Sequence, residues 1–98
     1  MRFFVADIGG TNTRFAVADK GSLKRLASLA TGDVDDPYDA IRKYIDRVGP
    51  VQGACLAVAG PVVDGTVHLT NAQWELRANA LEQVTDCPVH LLNDFHAQ

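Results

Sequence analysis

Residues 7–14 read Asp7, Ile8, Gly9, Gly10, Thr11, Asn12, Thr13 and Arg14, and they stand between two apolar runs. The runs at 2–7 and 14–19 predict a strand, a Gly-rich turn and a second strand. Gly9 and Gly10 lack a Cβ and so open the turn to positive φ. Backbone N–H groups there can face an anion at close range. Thr11, Asn12 and Thr13 add short side chains able to hydrogen-bond a phosphate. Asp7 sets a carboxylate at the mouth of the turn, an oxygen ligand of the kind hydrated Mg²⁺ prefers. This is chemistry for the terminal phosphates of a nucleotide. A Gly-Gly pair between strands equally suits a plain β-hairpin. Neither GxxxxGK[ST] nor GxGxxG occurs. A strand rather than a helix follows, so a helix dipole is not the attraction.

A second constellation lies at residues 91–95, where Asn93 and Asp94 follow an apolar pair. Ligands of α/β sheets gather at the carboxyl ends of strands. An Asp placed there can take the proton of an attacking hydroxyl in phosphoryl transfer. Asn93 can fix a neighbouring hydroxyl by donating and accepting together. Asn and Asp are also preferred helix N-caps, which gives the pair a purely structural use. Gly60 and Pro61 end another apolar run, where a glycine allows backbone approach to a ligand and a proline simply stops the strand. Thr70 and Asn71 fall in a polar loop, and Trp74 suits a core anchor better than a wall against a sugar. The spacing of His68, His90 and His96 matches no metal site with a nearby cysteine or acid pair, and His90 in its strand reads as structural.

These residues must be positioned by a small set of elements. A third strand is expected at 23–31, after turn residues Lys20, Gly21 and Ser22. A helix then starts clearly, with Asp36 as N-cap, Pro37 at the first helical position and Asp39 in the first turn. Ile41, Tyr44, Ile45 and Val48 give it one apolar face, and Gly49-Pro50 ends it. Residues 52–60 form a near-continuous apolar run, the pattern of a strand covered on both faces. Asp64-Gly65 between apolar pairs signals a hairpin over 62–69. Helix formers over 74–84 predict a second helix, 88–92 a short buried strand, and 95–98 the start of a third helix.

The whole chain has 98 residues, 47% hydrophobic and 21% charged, an ordinary globular composition for one domain or lobe. A net charge of −3 argues against nucleic acid as a partner and offers no basic patch for a membrane. The apolar stretches are shorter than a membrane helix needs, and Asp7 with the glycines cuts the first run short of a signal-peptide pattern. Cys55 and Cys87 have neither zinc-site spacing nor the numbers of a disulfide framework, which predicts two buried thiols in a reducing cytoplasm. The sequence stops where a helix is expected to begin, the pattern of a fragment.

Four segments in order, DIGGTNTRFAVAD, AVAGPV, LTNAQW and LLNDF, closely resemble the amino-terminal lobe of bacterial glucokinases, within the sugar-kinase and actin-like ATPase superfamily. DxGGTxxR is shared with the wider ROK group, and the other three point more narrowly to glucokinase. The resemblance implies a ribonuclease-H-like α/β lobe with a mixed five-stranded sheet and flanking helices. It implies transfer of a phosphoryl group from ATP to the glucose 6-hydroxyl, with Mg²⁺ as cofactor. Asp94 corresponds to the catalytic base and Asn93 to its sugar-binding neighbour. The first phosphate loop runs from Ala6 through Thr11, with Asp7 near Mg²⁺ through water. Gly60, Pro61, Thr70 and Asn71 correspond to segments lining the sugar cleft. The family's second phosphate motif, its adenosine motif and later sugar-binding residues have no counterpart in this sequence. The expectation is therefore an active parent kinase, a fragment inactive alone, glucose and ATP as ligands, and homodimerisation as an open possibility. The alternatives are a ROK-type kinase for another hexose or amino sugar, a sugar-responsive regulator, and a non-catalytic binding module. The regulator would need a DNA-binding segment before Asp7.

Overall fold

Alternation along the first apolar run decides the architecture. In a computed structural model, which describes residues 1–69 and 74–93, strand β1 (Arg2–Ile8) buries Phe4, Ala6 and Ile8 and leaves Phe3 and Asp7 exposed. Strand β2 (Asn12–Asp19) returns antiparallel, pairing Ile8 with Thr13, Asp7 with Arg14 and Arg2 with Asp19. A turn at Lys20 and Gly21, with φ of 53° and 79°, leads into β3 (Ser22–Ala30). A bulge between Phe15 and Ala16 shifts the β2–β3 register. Thr31–Asp33 then makes one 3₁₀ turn.

Helix α1 (Pro37–Val48) begins where its sequence predicts. The Asp36 carboxylate accepts from the Tyr38 N–H at 2.9 Å, and Gly49 (φ 87°) ends the helix, with its N–H donated to the Ile45 carbonyl. Ile41, Tyr44 and Ile45 face the sheet, and the Phe15 ring sits 5.4 Å from Phe4 and 5.2 Å from Tyr44. Strand β4 (Gly53–Val58) runs parallel to β1, with Ile8 opposite Val58. The Asp64-Gly65 hairpin joins β5 (Val62–Val63) to β6 (Thr66–Leu69). Strand β7 (Trp74–Arg77), helix α2 (Ala78–Thr85) and strand β8 (Val89–Asn93) complete the described chain. The main sheet has five strands in the order β3-β2-β1-β4-β8, and β5-β6-β7 form a separate three-stranded sheet.

Three expectations are corrected. Residues 74–84 are not one helix. Trp74 and Leu76 point inward and Glu75 and Arg77 outward, and pairing with Thr66–Leu69 makes the first four residues a strand before α2 begins. Pairing across a sheet overrides the helix propensity of so short a segment. The second concerns β4, which is buried mainly on one face. Leu56 and Val58 are in the core, whereas Cys55 and Ala57 on the opposite face are half-buried. The third concerns the thiols: Cys55 and Cys87 are free but only half-buried. Trp74 is a core residue, as expected, and His90 is exposed. No helix among the described residues is long and apolar enough to cross a membrane. Thr70, Asn71, Asp94 and the helix expected at 95–98 lie outside the described residues.

Candidate active site

Parallel pairing of β1, β4 and β8 sets Ile8, Val58 and Asn93 side by side in one row. The next residues of β1 and β4 therefore leave the sheet together at its carboxyl edge, with neighbouring strands about 4.8 Å apart. These are Gly9-Gly10 after β1 and Ala59-Gly60 after β4. The Ala59 N–H donates to the Ile8 carbonyl at 2.9 Å and continues the ladder past the last strand residues. Asn93, exposed, ends β8 at the same edge. The fold thus brings together segments that lie more than 80 positions apart in the sequence, at the edge where α/β sheets bind ligands.

The first turn closes the β1–β2 hairpin, but without the positive φ that its glycines suggest. The positive-φ glycines are Gly21, Gly49 and Gly65, and neither Gly9 nor Gly10 is among them. Gly9 is needed for space instead. A Cβ there would stand 3.2 Å from the Asn12 carbonyl oxygen, which accepts the Gly9 N–H at 2.9 Å.

Within residues 6–14 the side chains divide by direction. Ala6 and Ile8 are buried in the core, so neither side chain faces a ligand. Thr11 and Asn12 are exposed at the tip of the turn. Thr13 is fully buried, and its hydroxyl lies 2.8 Å from that of Thr31. Its contribution is therefore made from beneath the turn. Asp7 and Arg14 face each other across β1 and β2 with 3.9 Å between carboxylate and guanidinium, and both side chains are more than half exposed.

Thr31 is the residue that sequence reasoning missed. It lies 22 positions from Gly9, in the 3₁₀ turn after β3, and donates its hydroxyl to the Gly9 carbonyl at 2.8 Å. Its N–H donates to the Thr11 carbonyl at 2.8 Å. The sequence held only a weak signal for it, a threonine at the end of the strand that pairs with the turn.

Gly60 is buried and also serves for space. A Cβ on it would lie 2.7 Å from the His68 carbonyl oxygen, too close for any side chain. Its own N–H closes a tight return onto the Val58 carbonyl at 2.9 Å. Gly60 thereby seats β6 against the end of β4, and the chain leaving β6 begins from that position. Pro61 is exposed beside it. The Tyr38 hydroxyl accepts from the Arg77 N–H at 3.0 Å and ties α1 to the small sheet.

The donor set fits Mg²⁺ only in a particular way. No group of three or more metal-ligating side chains exists among the described residues. Mg²⁺ commonly keeps its waters and uses one carboxylate together with substrate phosphates. Asp7, single and solvent-facing, suits that arrangement.

Residues 4–98 match the protein family described as Glucokinase. The glucokinase of Pseudomonas paraeruginosa is 41% identical over 96 residues, an alignment covering 93% of this chain and 28% of that protein. That of Caulobacter sp. (strain K31) is 41% identical over 102 residues, covering 96% and 31%. Among solved structures, glucokinase from an Antarctic psychrotroph superposes with a TM-score of 0.81 at 35% identity, covering 96% of this chain and 32% of that one. A ROK family glucokinase from Streptomyces griseus, solved with glucose and AMPPNP, gives 0.74 at 25% identity, covering 99% and 34%. The chain thus spans roughly 30% of the length of the relatives it matches. The mixed five-stranded sheet with its helices is the actin-like ATPase fold that these structures share.

Proposed function

The chain belongs to the glucokinase family, and from that premise we propose that it supplies the amino-terminal lobe of a kinase that transfers phosphate from ATP to the 6-hydroxyl of glucose. The observation that carries this reading is the common carboxyl edge, where Gly9-Gly10, Gly60 and Asn93 end three adjacent parallel strands. One edge can then present a phosphate turn and a sugar-binding segment to the same pair of reacting atoms.

In the proposed reaction the sugar hydroxyl attacks the γ-phosphate in line, and the bond from phosphorus to the β–γ bridging oxygen breaks as ADP leaves. Asp94, next in the chain after Asn93, accepts the hydroxyl proton as the oxygen–phosphorus bond forms. Asn93 holds a neighbouring sugar hydroxyl and keeps the nucleophile aligned. Backbone N–H groups of the turn and the side chains of Thr11 and Asn12 take up charge on the transferring phosphate. Asp7 would hold Mg²⁺ through water, and the ion would supply charge neutralisation between the phosphates. Thr70, Asn71 and Pro61 complete the sugar side. Closure by a second lobe would exclude water and provide the other wall of the nucleotide site, so the 98-residue chain alone is expected to be inactive.

The test is a hybrid enzyme in which residues 1–98 replace the matching segment of the Pseudomonas paraeruginosa glucokinase. The hybrid should phosphorylate glucose with ATP, and Asp94→Ala should lower its turnover by roughly a hundredfold or more. Turnover near the unsubstituted level would remove Asp94 from its role. Phosphorylation of another hexose in preference to glucose would redirect the substrate assignment.

A further inference from the structure

We propose that Thr31 is the positioning residue of the phosphate turn, an inference that rests on the nucleotide-binding reading above. Its three hydrogen bonds have only one consistent direction. A threonine hydroxyl carries a single proton. The Gly9 carbonyl can only accept, so the Thr31 proton lies along the 2.8 Å contact to it. Thr13 must then be the donor across the 2.8 Å contact between the two hydroxyls. Both threonines are fully buried, and no buried side-chain polar atom among the described residues lacks a partner. The chain Thr13 to Thr31 to Gly9 is fixed in sense, with both hydroxyls buried.

The consequence lies on the other side of the peptide units. In a trans peptide the C=O and N–H point in opposite directions. Thr31 takes the Gly9 carbonyl with its hydroxyl and the Thr11 carbonyl with its N–H. The Gly10 N–H shares a peptide with the first carbonyl and the Asn12 N–H with the second. Both are thereby turned away from Thr31. Two donors separated by one residue and both turned from Thr31 can serve as an anion receptor. The turn is shaped by a residue outside it, which bonds its backbone from the core side.

This differs from ordinary buried-threonine packing, and Thr85 supplies the contrast. Thr85 is 4% exposed and donates its hydroxyl to the Leu81 carbonyl at 3.0 Å, within α2 and apart from the turn. A loss of stability alone should be shared by Thr31→Val and Thr85→Val. A loss of phosphate positioning should belong to Thr31→Val.

The experiment has two arms. In the 98-residue chain, amide exchange at the Gly9 N–H, bonded to Asn12 at 2.9 Å, reads the turn itself. It should quicken roughly tenfold in Thr31→Val, stay unchanged in Thr85→Val and recover in Thr31→Ser. In the hybrid enzyme, Thr31→Val should raise the KM for ATP about tenfold and leave the KM for glucose within about twofold. Thr31→Ser should restore the ATP value, and Thr85→Val should move neither constant. If Thr31→Val fails to fold, Thr13→Val replaces it, with a smaller rise of about threefold expected because the bond to Gly9 survives. Equal behaviour of Thr31→Val and Thr85→Val in both arms overturns the proposal. So does faster exchange at Gly9 with an unchanged KM for ATP. A hybrid inactive before any substitution would instead contradict the kinase reading, and the pinning of the turn would then stand or fall on amide exchange alone.

Discussion

The glycines of this chain do two different jobs in two different places. Gly21 and Gly65 sit in hairpins, with φ of 79° and 71°, each following a residue at φ 53°. A Cβ at Gly21 would meet nothing within 4 Å, and one at Gly65 only the Ala78 Cβ at 3.8 Å. They are present for their dihedral angles. Gly9 and Gly60 stand at the ends of β1 and β4, without positive φ, and a Cβ on either would meet a backbone carbonyl at 3.2 or 2.7 Å. They are present for space. The hairpins are local devices that any pair of strands can use. The turns at the carboxyl edge involve residues outside the turn itself, Thr31 for the first, 22 positions away, and His68 of the next hairpin for the second.

Substitutions can separate the two classes. The largest expected effect is Gly60→Ala. With a backbone carbonyl 2.7 Å from the new methyl group and no flexible side chain to yield, unfolding free energy should drop by about 3 kcal/mol, measured by chemical denaturation. A loss as small as that of a surface substitution would show that the small sheet is not seated through Gly60. Gly65→Ala should cost about 1.5 kcal/mol through its left-handed backbone alone. In the hybrid enzyme its kinetic constants should not change, and a rise in the KM for ATP would erase the distinction between the classes. Gly9→Ala should cost about 1 kcal/mol, because its contact at 3.2 Å asks only a small shift of the Asn12 carbonyl. It should still raise the KM for ATP, since that small shift falls in the turn proposed to hold phosphate. The smallest effect belongs to Arg14→Ala, which removes an exposed ion pair at 3.9 Å and should alter stability by less than about 0.5 kcal/mol.

Which parts were legible in the sequence follows the same division. Local devices could be read directly. Asp36 and Pro37 announced α1, Asp64-Gly65 announced a hairpin, and the apolar runs announced β1, β4 and β8. Devices that rest on distant partners could not. Residues 74–77 alternate correctly for a strand, but four residues are too few to outweigh their helix propensity until Thr66–Leu69 lies beside them. The glycines of the first turn pointed to a positive φ that the turn does not use, because Thr31 holds the carbonyl of Gly9 in another way. Thr13 offered a hydroxyl to phosphate in the sequence, and the fold commits that hydroxyl to the core. The common edge of Gly9, Gly60 and Asn93 required the parallel register, which no single segment encodes.

In the proposed enzyme the turn after β1 receives phosphate on N–H groups set by Thr31. A crystal structure of the hybrid enzyme with glucose and a non-hydrolysable ATP analogue tests it most directly. Phosphate oxygens should lie about 3 Å from the backbone nitrogens of Gly10 and Asn12, with the Thr31 hydroxyl still on the Gly9 carbonyl. Phosphates bound elsewhere, or a turn that abandons Thr31 when they bind, would contradict the account.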